Sequence, residues 1–271
     1  MNPKVIILVV FIAILLMFLV VYISTKESKE KAEVKPKFNA SLLSDNYIKS
    51  NLPEIYDKPD TYKINMKGVI TKKILFTTVN VNVDALGQTD NKNHRMQMDM
   101  NISIPVSGTE NSGLYLIEDT LYTKKSGSWV KKELNEEEKE DTWNNYNFIK
   151  REIELIKSSD FEVVGNETVM GASSLVVKVT PEKGALKDYV TSWLEQLSAA
   201  GLEKYLGSVN TSDMEFKNAT FRYWIAEDTY SIKKEHFQSE VLISKESYSM
   251  QISAEIYDYN KPVSIVLPED V

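Results

Sequence analysis

The sequence predicts an α+β fold: a single highly curved antiparallel sheet, a half-barrel wrapped around two or three helices, with an N-terminal transmembrane helix ahead of it. Three observations predict it. Ten or more segments alternate apolar and polar residues with a period of two, which marks strands with one buried and one wetted face. Only two substantial stretches among them carry a helical period. In addition, Val5 to Ile23 runs for nineteen residues without a charge. So many one-faced strands cannot lie flat under two helices without leaving apolar surface wet, whereas a curved sheet closes around them. The alternative, an immunoglobulin-type sandwich, buries sheet on sheet and has no place for two helices of about twenty residues.

The chain divides into an anchor at residues 1–24, a charged linker at 25–37 and a domain at 38–271. At 1.5 Å rise per residue, Val5 to Ile23 spans about 28 Å, the thickness of a bilayer's hydrocarbon. That is longer than a cleavable signal core of ~7–15 residues, and "VVYISTKE" offers no small-x-small exit site. Without a cysteine the lipoprotein route is closed too. The run therefore reads as an uncleaved anchor in the cytoplasmic membrane through residues 5–23. The lysines that follow it (Lys26, Lys29, Lys31, Lys35 and Lys37) would by the positive-inside rule hold the domain in the cytoplasm. Long domains translocate largely regardless of such charges. The five N-x-S/T sequons, at Asn39, Asn101, Asn166, Asn210 and Asn218, are candidate glycosylation sites that favour the outside. The expectation is a single-pass cell-membrane protein with its domain extracytoplasmic.

Within the domain a short helix is expected at Ser41–Ser50, ahead of the first strand. Strands follow at Tyr62–Thr71, "VNVNVDA" (Val79–Ala85), "MQMDMNISI" (Met96–Ile104), Ser112–Ile117, Leu121–Lys125 and Trp129–Lys132. Turn signals such as "EDT" and "SGS" join several as hairpins. A helix then opens at Asn135 with "NEEE", the pattern of a capping box, and runs to Lys157 with a stripe of Trp143, Tyr146, Ile149, Ile153 and Ile156. After strands at Phe161–Thr168 and Ser173–Thr180, a second helix is expected over Pro181–Tyr205. Its broad face carries Leu186, Tyr189, Val190, Trp193, Leu194 and Leu197. Strands at Glu215–Ile225, Ser231–Ile243 and "YSMQISAEI" (Tyr248–Ile256) complete the pattern. After a break at Asn260-Lys261-Pro262, the run Val263–Leu267 is expected to pair again as a last strand.

Several function classes are excluded or disfavoured. Zero cysteines rule out disulfides, thiolate nucleophiles and Cys-ligated metals. A net charge of −7 provides no basic patch for nucleic acid. His94 and His236 are the only two histidines and fall on separate strands, with no acid at a diagnostic spacing, so no metal site is expected. No nucleophile elbow, P-loop or H-E-x-x-H occurs. The expectation is no enzyme and no cofactor.

Three stretches resemble a known family. "LYLIEDTLYTKKSGSWVKKEL" (Leu114–Leu134) resembles a double hairpin running into a helix. "FRYWIAEDTYSIKKEHF" (Phe221–Phe237) resembles a pair of folded-back strands, and "YDYNKPVSIVLPED" (Tyr257–Asp270) resembles a terminal strand. Together they are similar to the lipoprotein-carrier-like (LolA/LppX-like) superfamily, especially its membrane-anchored archaeal and bacterial members. The resemblance implies acyl chains held in a hollow between sheet and helices, and a final strand that finishes the sheet's edge.

Beside it stands a hint from the residues themselves. Met96, Met98 and Met100 share one strand face, and Met66 and Met250 are in phase on theirs. Methionine suits a surface that accepts varied apolar partners. With Trp143, Tyr189 and Trp193 these are the candidate wall residues for an apolar ligand, although each taken singly reads first as a core residue. Two functions remain: a tethered carrier or binding protein for a lipid or acyl chain, or an envelope sensor or protein-interaction module with a packed interior. A pocket of several hundred Å³ favours the first. A filled interior with an exposed apolar patch favours the second.

Overall fold

The structure is a computed structural model that describes residues 59–271 apart from 75–76, 106–107, 126, 188, 190–213, 244–245 and 270. The expected anchor, the linker, the Ser41–Ser50 helix and the second helix beyond residue 189 lie outside the described residues. Among the described residues no helix is long and apolar enough to cross a membrane.

Eleven strands form one antiparallel sheet: β1 (Thr61–Ile74), β2 (Thr77–Asp90), β3 (Arg95–Ile104), β4 (Gly108–Ile117), β5 (Thr120–Lys125), β6 (Ser128–Glu133), β7 (Ser159–Val169), β8 (Ala172–Pro181), β9 (Met214–Ala226), β10 (Ile232–Ile243) and β11 (Glu246–Tyr257). Their order is β6-β5-β4-β3-β2-β1-β11-β10-β9-β8-β7. The first strand therefore sits in the middle beside the last, and two meanders run outward from that pair to the edges β6 and β7. The sheet is curved and does not close.

Helices α1 (Glu136–Tyr146) and α2 (Phe148–Lys157) link β6 to β7 and so carry the chain from one edge to the other. That route lays them across one face of the sheet. The capping box forms as the sequence implies: Glu138 N–H donates to Asn135 Oδ1 at 2.9 Å, and Asn135 N–H donates to Glu138 Oε2 at 3.1 Å. The expected single helix is instead two. At Asn147 the backbone is extended, with φ −71° and ψ 105°. Its buried side chain donates to Asn91 Oδ1 at 3.0 Å, in the β2–β3 turn, which holds the break open.

The break lets each helix serve its own part of the face. Trp143 and Tyr146 of α1 pack on Met96, Leu114, Leu116 and Leu121. Ile149, Leu155 and Ile156 of α2 join the larger cluster, which takes in Met66, Val81, Phe221, Phe237, Val241 and Ile252 from five strands. The helical segment at 183–187, beginning two residues after Pro181, adds Leu186 to that cluster, as does Tyr189.

Alternation keeps the inner residues in phase apart from register shifts between Val163 and Gly165, between Ile232 and Lys234, and on β9. There Met214 and Phe216 point inward, and after a register shift Phe221, Tyr223 and Ile225 do so. Asn218, at φ 54°, sits at the shift, an extra residue of the kind that flips a strand's phase.

The chain's end departs from expectation. Residues 262–268 form no strand. β11 already has β1 on one side and β10 on the other, so no free edge lies beside it for the chain to rejoin. The tail crosses the outer face of β2 and β3 instead. Gln88 Nε2 donates to Ser264 O at 3.2 Å, Arg95 Nη2 donates to Ile265 O at 2.6 Å, and Ile265 is buried there.

Candidate functional site

Five of the eight candidate wall residues come together. Met66, Met100, Met250 and Tyr189 lie in the larger cluster and Met98 packs against it. Met96 and Trp143 belong to the smaller cluster under α1. Trp193 lies outside the described residues. Met66, Met100 and Met250 are fully packed, whereas Met98 is only partly buried. Met98 faces Gly87 across the β2–β3 ladder, and its methyl group fills the place of the missing side chain: a Cβ on Gly87 would come within 2.9 Å of it.

At the end of the sheet where β1 begins and β11 finishes, two turns line a half-open cavity of about 590 Å³. One is the β9–β10 turn, Thr229 to Ser231; the other is Asp258 to Lys261, with Pro59 beside them. Tyr230, Asp258 and Asn260 stand in the left-handed region, at φ 54°, 53° and 57°. Three such residues around one cavity are uncommon, and for a bulky tyrosine the conformation is strained. Tyr259 separates the cavity from the core. Its hydroxyl donates to Ile232 O at 2.5 Å, its ring lies 6.4 Å from that of Tyr62, and Lys233 Nζ stands 5.1 Å above it. Burial first, then Tyr62 and Glu235, hold that hydroxyl's pKa well above the ordinary tyrosine value. At the rim, Asp258 accepts from Lys261 Nζ at 2.8 Å and Lys63 Nζ at 3.1 Å; Lys261 first, then Lys63, lower its pKa.

Behind Tyr259 the apolar interior contains two buried carboxyl groups that sequence reasoning missed. Glu152 of α2 accepts from the Tyr223 hydroxyl at 2.6 Å through Oε2 and from the Tyr189 hydroxyl through Oε1. Glu235 of β10 stands between Tyr223 and Ala254 in the ladders, is fully buried, and has no hydrogen-bond partner among the described residues for either oxygen. Burial, then the Glu152 charge, push its pKa well above the usual carboxylate range. Both residues sit on the apolar phase of their elements. Glu235 alternates with Phe237 and Val241, and Glu152 lies three residues from Ile149 and four from Ile156. That was the available signal.

The other candidates are scattered. His94 stacks on Trp143, with ring centroids 4.8 Å apart. His236 Nδ1 lies 2.9 Å from Ser253 Oγ, and burial, then Lys234 and Arg222, lower its pKa. Among the described residues no group of three or more His, Asp or Glu side chains is placed to hold a metal ion. Asn101, Asn166 and Asn218 are exposed; Asn39 and Asn210 lie outside the described residues.

No family model matches the chain, and no curated protein does. Among solved structures it is similar to LprF from Mycobacterium bovis, at 11% identity and a TM-score of 0.43, over 82% of this chain and 95% of that one. The lipoprotein LppX of Mycobacterium tuberculosis is similar over 82% of this chain and all of its own, at 13% identity and a TM-score of 0.42. A LolA superfamily protein from Nitrosomonas europaea matches at 10% identity and a TM-score of 0.26, over 84% of this chain and 96% of that one. The likeness lies in the arrangement of strands and helices, and the chemistry of this chain has to come from its own residues. In architecture, the chain is similar to LppX/LprF and LolA-superfamily proteins, the resemblance its hairpin sequences imply.

Proposed function

We propose that the chain is a membrane-tethered, extracytoplasmic binding or carrier protein for a hydrophobic ligand, a lipid or acyl chain, held between the curved sheet and its helices. The observation that carries this reading is the cavity of about 590 Å³ that abuts the apolar interior. Its volume falls in the range of ligand pockets, roughly 300–1,000 Å³. Tyr230 and Tyr259, two of its wall residues, also pack against the main core cluster, so the pocket borders the apolar face. Met98 and Tyr189 are the wall residues nearest to this role. Residues 5–23 provide the tether and 25–37 the spacer, and nothing in the reading calls for catalysis or a cofactor.

Full packing around Met66, Met100 and Met250 favours a second reading, an envelope sensor or protein-interaction module whose interior is simply a core. Purifying the full-length chain from its membrane, extracting it for lipid and offering it a fluorescent acyl probe separates the two. Co-purified lipid or saturable uptake supports the carrier. A folded protein with neither leaves the interaction module standing.

A further inference from the structure

Glu152 and Glu235 are the two buried carboxyl groups among the described residues, and their surroundings differ. Each oxygen of Glu152 receives a tyrosine hydroxyl, the arrangement that supports an ionised carboxylate. Neither oxygen of Glu235 has a hydrogen-bond partner among the described residues. Two interacting buried carboxyls do not both ionise, and the better-solvated one keeps the charge. The proton therefore resides on Glu235, which then carries one O–H donor and one carbonyl acceptor with no match among the described residues. Leaving such a group unmatched in an apolar interior is costly, so a ligand atom that matches both sides would gain from meeting it.

A hydroxyl group both accepts and donates. An ammonium only donates, so it would leave the Glu235 O–H without an acceptor; a carboxylate only accepts, and would add a second negative charge beside Glu152. Glu235 also lies at the right depth. It is three residues along β10 from Ile232, which lines the cavity, and it acts electrostatically on Tyr259, the residue between cavity and core. Resting on the carrier reading, we propose that Glu235 is the polar anchor of the site and that its ligand is an uncharged, hydroxyl-bearing lipid. The hydroxyl pairs with the Glu235 carboxyl, the chain lies along the apolar face, and the cavity holds what projects beyond.

The test uses the full-length chain in liposomes that contain diazirine-bearing hexadecanol, hexadecylamine or hexadecane at matched concentration, with cross-linking yield read by intact-protein mass spectrometry. Wild type should label with hexadecanol about tenfold more than with hexadecane. Glu235→Leu should lose that preference while labelling with hexadecane at the wild-type level. Glu235→Gln, which keeps a donor and an acceptor, should stay within about twofold of wild type. Equal labelling by all three probes, or a preference that survives Glu235→Leu, overturns the anchor and leaves the carrier reading intact. A preference for hexadecylamine that Glu235→Gln abolishes also overturns it, because the site would then be an ionised carboxylate for a cation. No saturable labelling by any probe overturns the carrier reading and the anchor with it. Thermal melts of each variant confirm that the labelled protein is folded.

Discussion

The Tyr223 hydroxyl donates to Glu152 Oε2 at 2.6 Å, joining β9 to α2 inside the apolar interior. α2 is ten residues long and lies over a face built from many strands, so this bond fixes its position as well as its energy. Tyr223→Phe keeps the ring and removes the donor. Removing a donor from a buried carboxylate should cost about 1–3 kcal/mol, read as a fall in the urea midpoint at constant slope. Tyr223→Phe combined with Glu152→Gln should cost less than the sum of the singles, because the charge that needed the donor is gone. Strict additivity would mean that the two groups do not interact.

Glu235 makes stability depend on pH with an unusual sign. Its folded pKa is raised, by burial and then by Glu152. As pH rises above the ordinary carboxylate value of about 4.5, the unfolded chain releases this proton while the folded chain keeps it, so stability falls until the raised folded value is passed. Among the described residues the groups that face it are Glu152 from α2, Tyr223 from β9 and Tyr259 beyond β11, and none of these offers a compensating positive charge. Asp258, whose pKa is lowered by Lys261 and Lys63, acts in the opposite direction at acid pH, so the comparison is between proteins. Glu235→Gln should melt higher than wild type at neutral pH, with the gap closing below pH ~4.5. A gap that stays constant from pH 4 to 8 would show that Glu235 titrates as an ordinary carboxylate.

The strands are legible in the alternation where one face is wet and the other dry, which holds for most of them; β6 is wet on both faces, and β4 and β8 each have a stretch buried on both. Phase also explains why Met66, Met98, Met100 and Met250 meet: once β1 pairs with β2 and β11 in register, side chains on the same phase share one face. What the sequence does not reveal depends on contacts between distant segments. The helix break needs Asn91 to reach Asn147, and a periodic stripe from Trp143 to Ile156 gives no sign of it. The cavity joins Pro59, Thr229–Ser231 and Asp258–Lys261, three segments far apart in the chain. Asn260 and Asp258 are residues that tolerate the left-handed region, but nothing local marks Tyr230 for it. Glu152 and Glu235 could have been noticed as charges on apolar phases. Their pairing could not.

Gly87 is where β2 makes room for its neighbours. A Cβ there would come within 2.7 Å of Ile64 Cγ2 and 2.9 Å of Met98 Cε. Gly87→Ala should therefore destabilise by about 1–3 kcal/mol through overpacking. Met98→Ala alone should also destabilise, through the space it leaves. The double variant should recover part of the loss, since the new methyl occupies space that Met98 vacates. Full additivity in chemical denaturation would mean that Ile64 alone sets the limit at this position.

The tail after Pro262 lies on the outer face, where Gln88 and Arg95 hold it by hydrogen bonds to Ser264 and Ile265. A chain ending at Pro262 should keep its strand content by circular dichroism and lose only ~2–8 °C of melting temperature. Collapse of the strand signal would return the tail to the sheet.

The cavity gives the most direct handle on the carrier reading. Ser231 lines it from the β9–β10 turn, partly exposed, and its hydroxyl lies 2.8 Å from that of Thr229 at the protein's surface. Ser231→Trp would place an indole in the space without displacing any core residue, so the fold should melt within about 1–2 °C of wild type. An indole is bulky enough to block much of a pocket that ends against Tyr259, and binding there depends on the entrance staying open. Uptake of a fluorescent acyl probe by the full-length chain should then fall at least tenfold, and co-purified lipid should fall with it. Val164→Trp, an exposed position on β7 at the far edge of the sheet, provides the control for adding an indole to the surface. If Ser231→Trp and Val164→Trp bind the probe equally well, the ligand does not enter through this cavity.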